Sequence, residues 1–231
     1  MTQEPCTRLN VPMLIVVLAV VIITPLGLYI LMQRAGEQGN LVECLSNCRQ
    51  ITMALKAYAD DHNGEMPDSA LDQPRSSNEA FRLLFTEHYL DNEMWFGCPF
   101  SPFHPDGQVG SEPQFTKALE AGENHWAMTA GVGKDTPDSV PLVYENPAIA
   151  SWPPQWNYAA RGTATKGRTW SKGIVRSSLD GTAFLQKVDA FWWSSTVGLA
   201  KNPTGKDPFE RALDPVKFPK GVVLDVLQKA E

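Results

Sequence analysis

The sequence predicts an α+β protein: a long N-terminal helix, apolar in its first half and amphipathic in its second, then a body of short strands and long loops. Three observations lead there. Residues Val11 to Met32 carry no charged side chain, and Leu41 to Tyr58 space apolar residues alternately by three and four. Beyond Pro67 the apolar runs shorten, each bounded by Gly, Pro, Asn or Asp, the punctuation of strands in a loop-rich domain. At 231 residues the chain has length for one well-buried domain and an anchor.

The run VPMLIVVLAVVIITPLGLYILM, Val11 to Met32, extends about 33 Å as a helix, which matches the hydrocarbon core of a bilayer. It is followed by Gln33 and Arg34 rather than a small-residue cleavage site, so it reads as a retained transmembrane helix over 11–32 behind a short tail, 1–10. The mature protein is expected to keep its N-terminus. Pro12 suits a helix start, whereas Pro25 kinks the span and frees a carbonyl for a neighbouring helix to cover. Arg8 and Arg34 nearly balance across the span. The tail is too short to fold, so the bulk of the chain is expected on the periplasmic side of the inner membrane, on a single-pass anchor.

Residues 33–64 continue the helix in amphipathic form. Leu41, Cys44, Cys48, Ile51, Leu55 and Tyr58 make one stripe, the face that docks on the body, while Ser46, Arg49, Gln50, Lys56 and Asp60 lie opposite. Asn63 and Gly64 stop the helix, and Pro67 prevents its resumption. Residues 65–231 form the exported domain. A second helix starts at Ser76, which has capping-box spacing to Glu79, and ends near Leu90. A short helix is expected from Pro113 to Leu119. Strands are expected over His125 to Met128 and Val140 to Glu145, and a hairpin over Gly173 to Val188 turns on Asp180-Gly181 as a two-residue type I′ loop. Trp152 to Tyr158 reads as loop, and Val222 to Leu227 reads equally as an edge strand or a helical turn.

Four cysteines divide as Cys6 before the span and Cys44, Cys48 and Cys98 after it, hence in different redox compartments. Cys44 and Cys48 are one turn apart, an awkward geometry for a bridge, so either would sooner reach Cys98; three buried thiols are the alternative. A metal site is not expected, since no CxxC pair exists and no His stands at ligand spacing from Cys44 or Cys48. The acidic tip Asp60 to Glu65 lacks the twelfth-position Glu of a calcium loop, where Leu71 stands. GVGKD, Gly131 to Asp135, lacks the Ser or Thr of a phosphate loop and is a turn. With no nucleophile elbow, zincin helix or paired acids, no catalytic residue and no cofactor is assigned, and the expected role is not enzymatic. The net charge of -6 with scattered Lys and Arg excludes nucleic acid as a partner. All seven Trp lie between Trp95 and Trp193, in core or at a partner surface.

The order of these elements, and above all CLSNCRQITMALKAYADDHNGEMP, resembles the type IV pilin-like, type II secretion pseudopilin-like proteins of the planctomycete and verrucomicrobial type. Cys44, Asn47, Arg49, Gln50, Ile51, Ala54, Leu55, Tyr58, Gly64 and Pro67 carry the match. The resemblance implies a helix half in the membrane and half packed on a small antiparallel sheet, with a structural or assembly role and like chains as partners. The chain departs from that family in lacking the Gly before the apolar run and the Glu inside it, in Trp170 where many relatives carry His, and in Cys48. Loss of the processing signal favours the rival expectation, an accessory, non-catalytic subunit clamping a larger respiratory or photosynthetic membrane complex.

Overall fold

The computed structural model describes residues 11–189, 195–201, 203, 205, 207–209 and 222–229, without the side chains of 11–19, 26–27, 30–31 and 33–34. The tail 1–10 and most side chains of the expected span Val11 to Met32 thus lie outside the described residues. Among the described residues no helix is long and apolar enough to cross a membrane. The chain falls into two compact units, Met1–Asn40 and Leu41–Glu231. Helix α1, Val11–Asp61, contributes to both and contains Pro25. In the first unit Val20, Val21, Ile22, Ile23, Leu28 and Met32 are exposed.

In the second unit the stripe on α1 is buried: Cys44, Cys48, Ile51 and Leu55 at 0% exposure, Tyr58 at 1%. Leu41 is half-buried and packs at the margin of the same core. The helix ends as its sequence requires. Asn63 (φ 57°) and Gly64 (φ 88°) take the left-handed conformation, and the Gly64 amide donates back to the Ala59 carbonyl at 2.7 Å, satisfying one of the last-turn carbonyls. Helix α2, Ser77–Thr86, is capped by Ser76, whose side chain accepts from the Glu79 amide. It stops short of Leu90 because His88 is left-handed (φ 62°) and the amides of Tyr89 and Leu90 fold back onto the Leu84 carbonyl.

The strands are β1 (Trp126–Ala130), β2 (Pro141–Glu145), β3 (Trp156–Asn157), β4 (Gly173–Ser178), β5 (Ala183–Lys187), β6 (Thr196–Val197) and β7 (Val222–Leu224). Five of them form an antiparallel sheet in the order β5-β4-β2-β1-β7, and β3 pairs with β6. The two-residue period of the strands divides the core. Met128, Val143 and Val175 join the cluster under α1 and α2, while Ala127, Tyr144 and Ile174 join Trp156, Val197, Leu199 and Phe209 in a second cluster. Seating of α1 on the sheet is polar as well as apolar. Cys48 Sγ donates to the Val143 carbonyl (3.7 Å), Thr52 Oγ1 meets Ser177 Oγ (2.5 Å), and Lys56 Nζ donates to the Asp180 carbonyl (3.1 Å). Every fourth residue of α1 thereby steps from β2 to β4 to the turn beyond it.

Three expectations need correction. Residues 113–119 form turns instead of a helix, because Phe115 (φ 43°) and Leu119 (φ 53°) adopt left-handed backbone that breaks a helical run. The β4–β5 loop is not a two-residue type I′ turn. Gly181 alone has positive φ (90°), and the bonds Gly181 N to Ser178 O and Ser178 N to Thr182 O define a three-residue loop of the type I plus bulge kind. Within the segment expected as loop, Trp156 and Asn157 form β3. Of the two readings open for Val222 to Leu227 the edge strand holds, since Val222–Leu224 pairs with β1 at the sheet edge.

Candidate functional site

The principal concentration of polar chemistry lies inside the second unit, where α1, β1, β2 and the segment before β4 meet. Glu145 closes β2 on the same side as Val143, and is 1% exposed. Its Oε1 accepts from Trp170 Nε1 (3.0 Å) and His125 Nε2 (3.2 Å) and lies 3.4 Å from Arg168 Nη2; its Oε2 accepts from the Val175 amide (2.8 Å). The Arg168 guanidinium also donates to the carbonyls of Phe100 and Pro99 and stacks 4.4 Å over the Trp170 ring. Arg168 Nη2 and Glu145 Oε1 both reach Cys98 Sγ, at 3.4 and 3.9 Å. Cys98 is joined to Cys44 by a disulfide across 54 positions of sequence, with Cα atoms 5.2 Å apart. Cys48, one turn further along α1, is a free buried thiol.

Hydrogen bonding fixes the state of His125. Asn146 Nδ2 can only donate, and it sits 2.9 Å from His125 Nδ1, so the network assigns Nδ1 as acceptor and leaves the proton on Nε2, pointing at Glu145. Burial pushes the His125 pKa below its ordinary value, the neighbouring Arg168 adds to this, and Glu145 opposes it. A neutral histidine and a compensated Glu–Arg pair make the cluster electrically quiet, as burial at this depth demands. Burial likewise pushes the Cys48 thiol up to about 12, against a hydrogen bond from Ser177.

Ser101 Oγ lies 2.8 Å from His125 Nδ1, so Ser101, His125 and Glu145 stand in the order nucleophile, base and orienter. Two features set this row apart from an accessible catalytic triad. Each of the three is 1% exposed, so no acyl group reaches the hydroxyl while the fold is closed, and Ser101 Oγ already accepts from the Phe103 amide (3.0 Å). Two surface recesses, about 400 Å³ lined by Val42, Leu45, Arg49, Met53 and Ala183 among others, and about 360 Å³ lined by Phe103, His104, Lys166 and Lys229 among others, include none of the three. As ligands, Cys44 Sγ, Cys98 Sγ and a Glu145 oxygen lie within 4.8 Å of one another. The sulfurs are bonded together, however, and Arg168 occupies the cation's place. The carboxylates of Glu93, Asp106 and Glu123 also gather within 4.8 Å; Glu93 Oε1 accepts from the amides of Asp106 and Gly107, which gives that cluster a loop-bracing role.

The structure therefore brings Cys44, Cys48 and Cys98 to one place and lines Ile51, Leu55 and Tyr58 along the same core. It leaves the acidic tip apart: His62 Nε2 pairs with Glu87 (3.1 Å) and the His62 ring stacks on Tyr58 at 3.8 Å. Glu145, His125, Arg168 and Ser101 were beyond sequence reasoning, which read Glu145 and His125 as strand ends. One signal was legible: Glu145 falls in register with Val143, on the side of β2 that must be buried. No protein-family model, curated protein or solved structure matches the chain.

Proposed function

We propose that the chain is a membrane-anchored, pseudopilin-like structural protein without catalytic activity, with a single-pass anchor over 11–32 in the inner membrane and its body on the periplasmic side. One observation carries the reading. Val20, Val21, Ile22 and Ile23 are 57 to 66% exposed and Met32 is 73% exposed. Four consecutive helical residues point to all sides of the helix, so this stretch offers apolar surface around its whole circumference, which suits lipid and not water. The buried, disulfide-braced network at the other end of α1 supports a rigid structural body, since its polar groups are turned inward on one another.

Carbonate washing of membranes from expressing cells tests the proposal. The full chain stays in the pellet and its body is cleaved by protease added to spheroplasts; release by carbonate, or protection of the body, sinks it. Purification in mild detergent then identifies the company it keeps. Like chains fit a pilin-type assembly, whereas a fixed set of unlike chains would replace this reading with an accessory subunit of a larger membrane complex.

A further inference from the structure

We propose that Cys48 is a second seat for the Cys98 bridge, so that the three sulfurs form a latch able to shift by one turn along α1 without any external oxidant or reductant. The inference stands on the body alone and is independent of the membrane reading. Cys44 and Cys48 are both fully buried on the face of α1 that meets β2. The bridge sits beside Glu145, where Cys98 Sγ is 3.9 Å from Oε1, and the Cys48 thiol sits beside Val143, 3.7 Å from its carbonyl oxygen. Those strand positions are two residues, or about 6.7 Å, apart, and four helical residues rise about 6 Å. Helix and strand are therefore in step, and Cys48 stands one such step along α1 from the Cys44–Cys98 bridge.

The exchange balances internally. The Cys48 thiolate attacks Cys98 Sγ, the Cys44–Cys98 bond breaks, and Cys44 leaves as the thiolate that takes up the proton Cys48 released. One S–S bond forms and one is lost, with no net transfer of electrons. Negative charge spreads over three sulfurs during the attack, and Arg168 Nη2 is 3.4 Å from the central one, Cys98 Sγ. Glu145, the nearby anion, is held by Arg168, His125 and Trp170, and Arg176 is the further charge near Cys48. While α1 is packed, burial keeps Cys48 protonated and the latch locked. Local opening of the helix face hydrates the thiol and lets the bridge move.

Differential alkylation of the full chain, in a Cys6→Ser background and without added thiol, is the test. Protein is held in oxygen-free urea below its unfolding midpoint, alkylated, and mapped with fragmentation between Cys44 and Cys48. Cys44 alkylation at least about ten-fold above that of a Cys48→Ala variant, together with a Cys48–Cys98 peptide, is the expected result, because only an internal thiol can release Cys44 under these conditions. Equal alkylation of Cys44 in both proteins overturns the latch. Should Cys48→Ala fail to fold, Cys44→Ser decides: a Cys48–Cys98 bridge supports the second seat, and two free thiols in folded protein refute it.

Discussion

Two stretches of α1 both carry large apolar side chains, and these have opposite fates. Between Val20 and Met32 the described large apolar side chains are more than half exposed, whereas between Cys44 and Ala59 the stripe residues are almost wholly buried. The difference lies in pattern. The first stretch is apolar on every side and so has no direction in which to dock. The second alternates its stripe with Ser46, Arg49, Gln50 and Asp60, and its stripe finds a sheet built to receive it. Uniform apolarity selects a solvent, and periodic apolarity selects a partner surface.

Matched substitutions in the two stretches give the largest contrast. Ile51→Asp forces a carboxylate into the cluster beneath α1 and is expected to cost about 4 kcal/mol or more of stability. Ile23→Asp should leave the urea midpoint of the body unchanged and weaken membrane retention. Equal shifts in the midpoint would erase the distinction between the two stretches.

Next in size, Glu145→Gln tests whether the docked face depends on its buried charge. Loss of the carboxylate leaves the Arg168 guanidinium, itself 2% exposed, without its counter-ion, which is expected to cost about 3 kcal/mol. Glu145→Gln combined with Arg168→Met should recover part of the loss, and a double mutant no better than the single one would show that the pair is not coupled.

A smaller, pH-dependent effect comes from His125. Its folded pKa is depressed by burial, so the unfolded chain binds the proton more readily. Its contribution is fully present above the unfolded value of about 6.5, and is lost as pH falls below that value towards the folded pKa. Unfolding free energy should fall with acidification below about pH 6.5 at up to about 1.4 kcal/mol per pH unit, and His125→Gln should flatten the profile. An unchanged profile in the variant would assign the slope elsewhere.

The smallest effect marks the far edge of the docking ladder. Lys56→Asp removes an exposed bond to the Asp180 carbonyl and brings a second carboxylate to that turn, at an expected cost of about 0.5 kcal/mol. A change as large as that of Ile51→Asp would mean that the ladder and not the stripe holds α1 in place.

Residues close together in the chain made much of this legible. The stripe from Leu41 to Tyr58, the stop at Asn63 and Gly64 and the Ser76 cap follow from spacing and local backbone preference, because a helix places side chains by angle alone. The Asp180-Gly181 signal marked a hairpin, yet the loop type depended on Leu179 and Asp180 donating to the carbonyls of Val140 and Asp138 on another segment. Cys98 had two candidates on α1, one turn apart, and nothing in the spacing chose between them; the seating of α1 across β2 put Cys44 at the bridge. The cluster of Ser101, His125, Glu145 and Arg168 is drawn from four distant segments, so its members carry no mutual signal in the sequence. Only the antiparallel pairing that sets Trp126 opposite Glu145 brings them together, since long-range register, unlike helical period, is a property of the folded sheet.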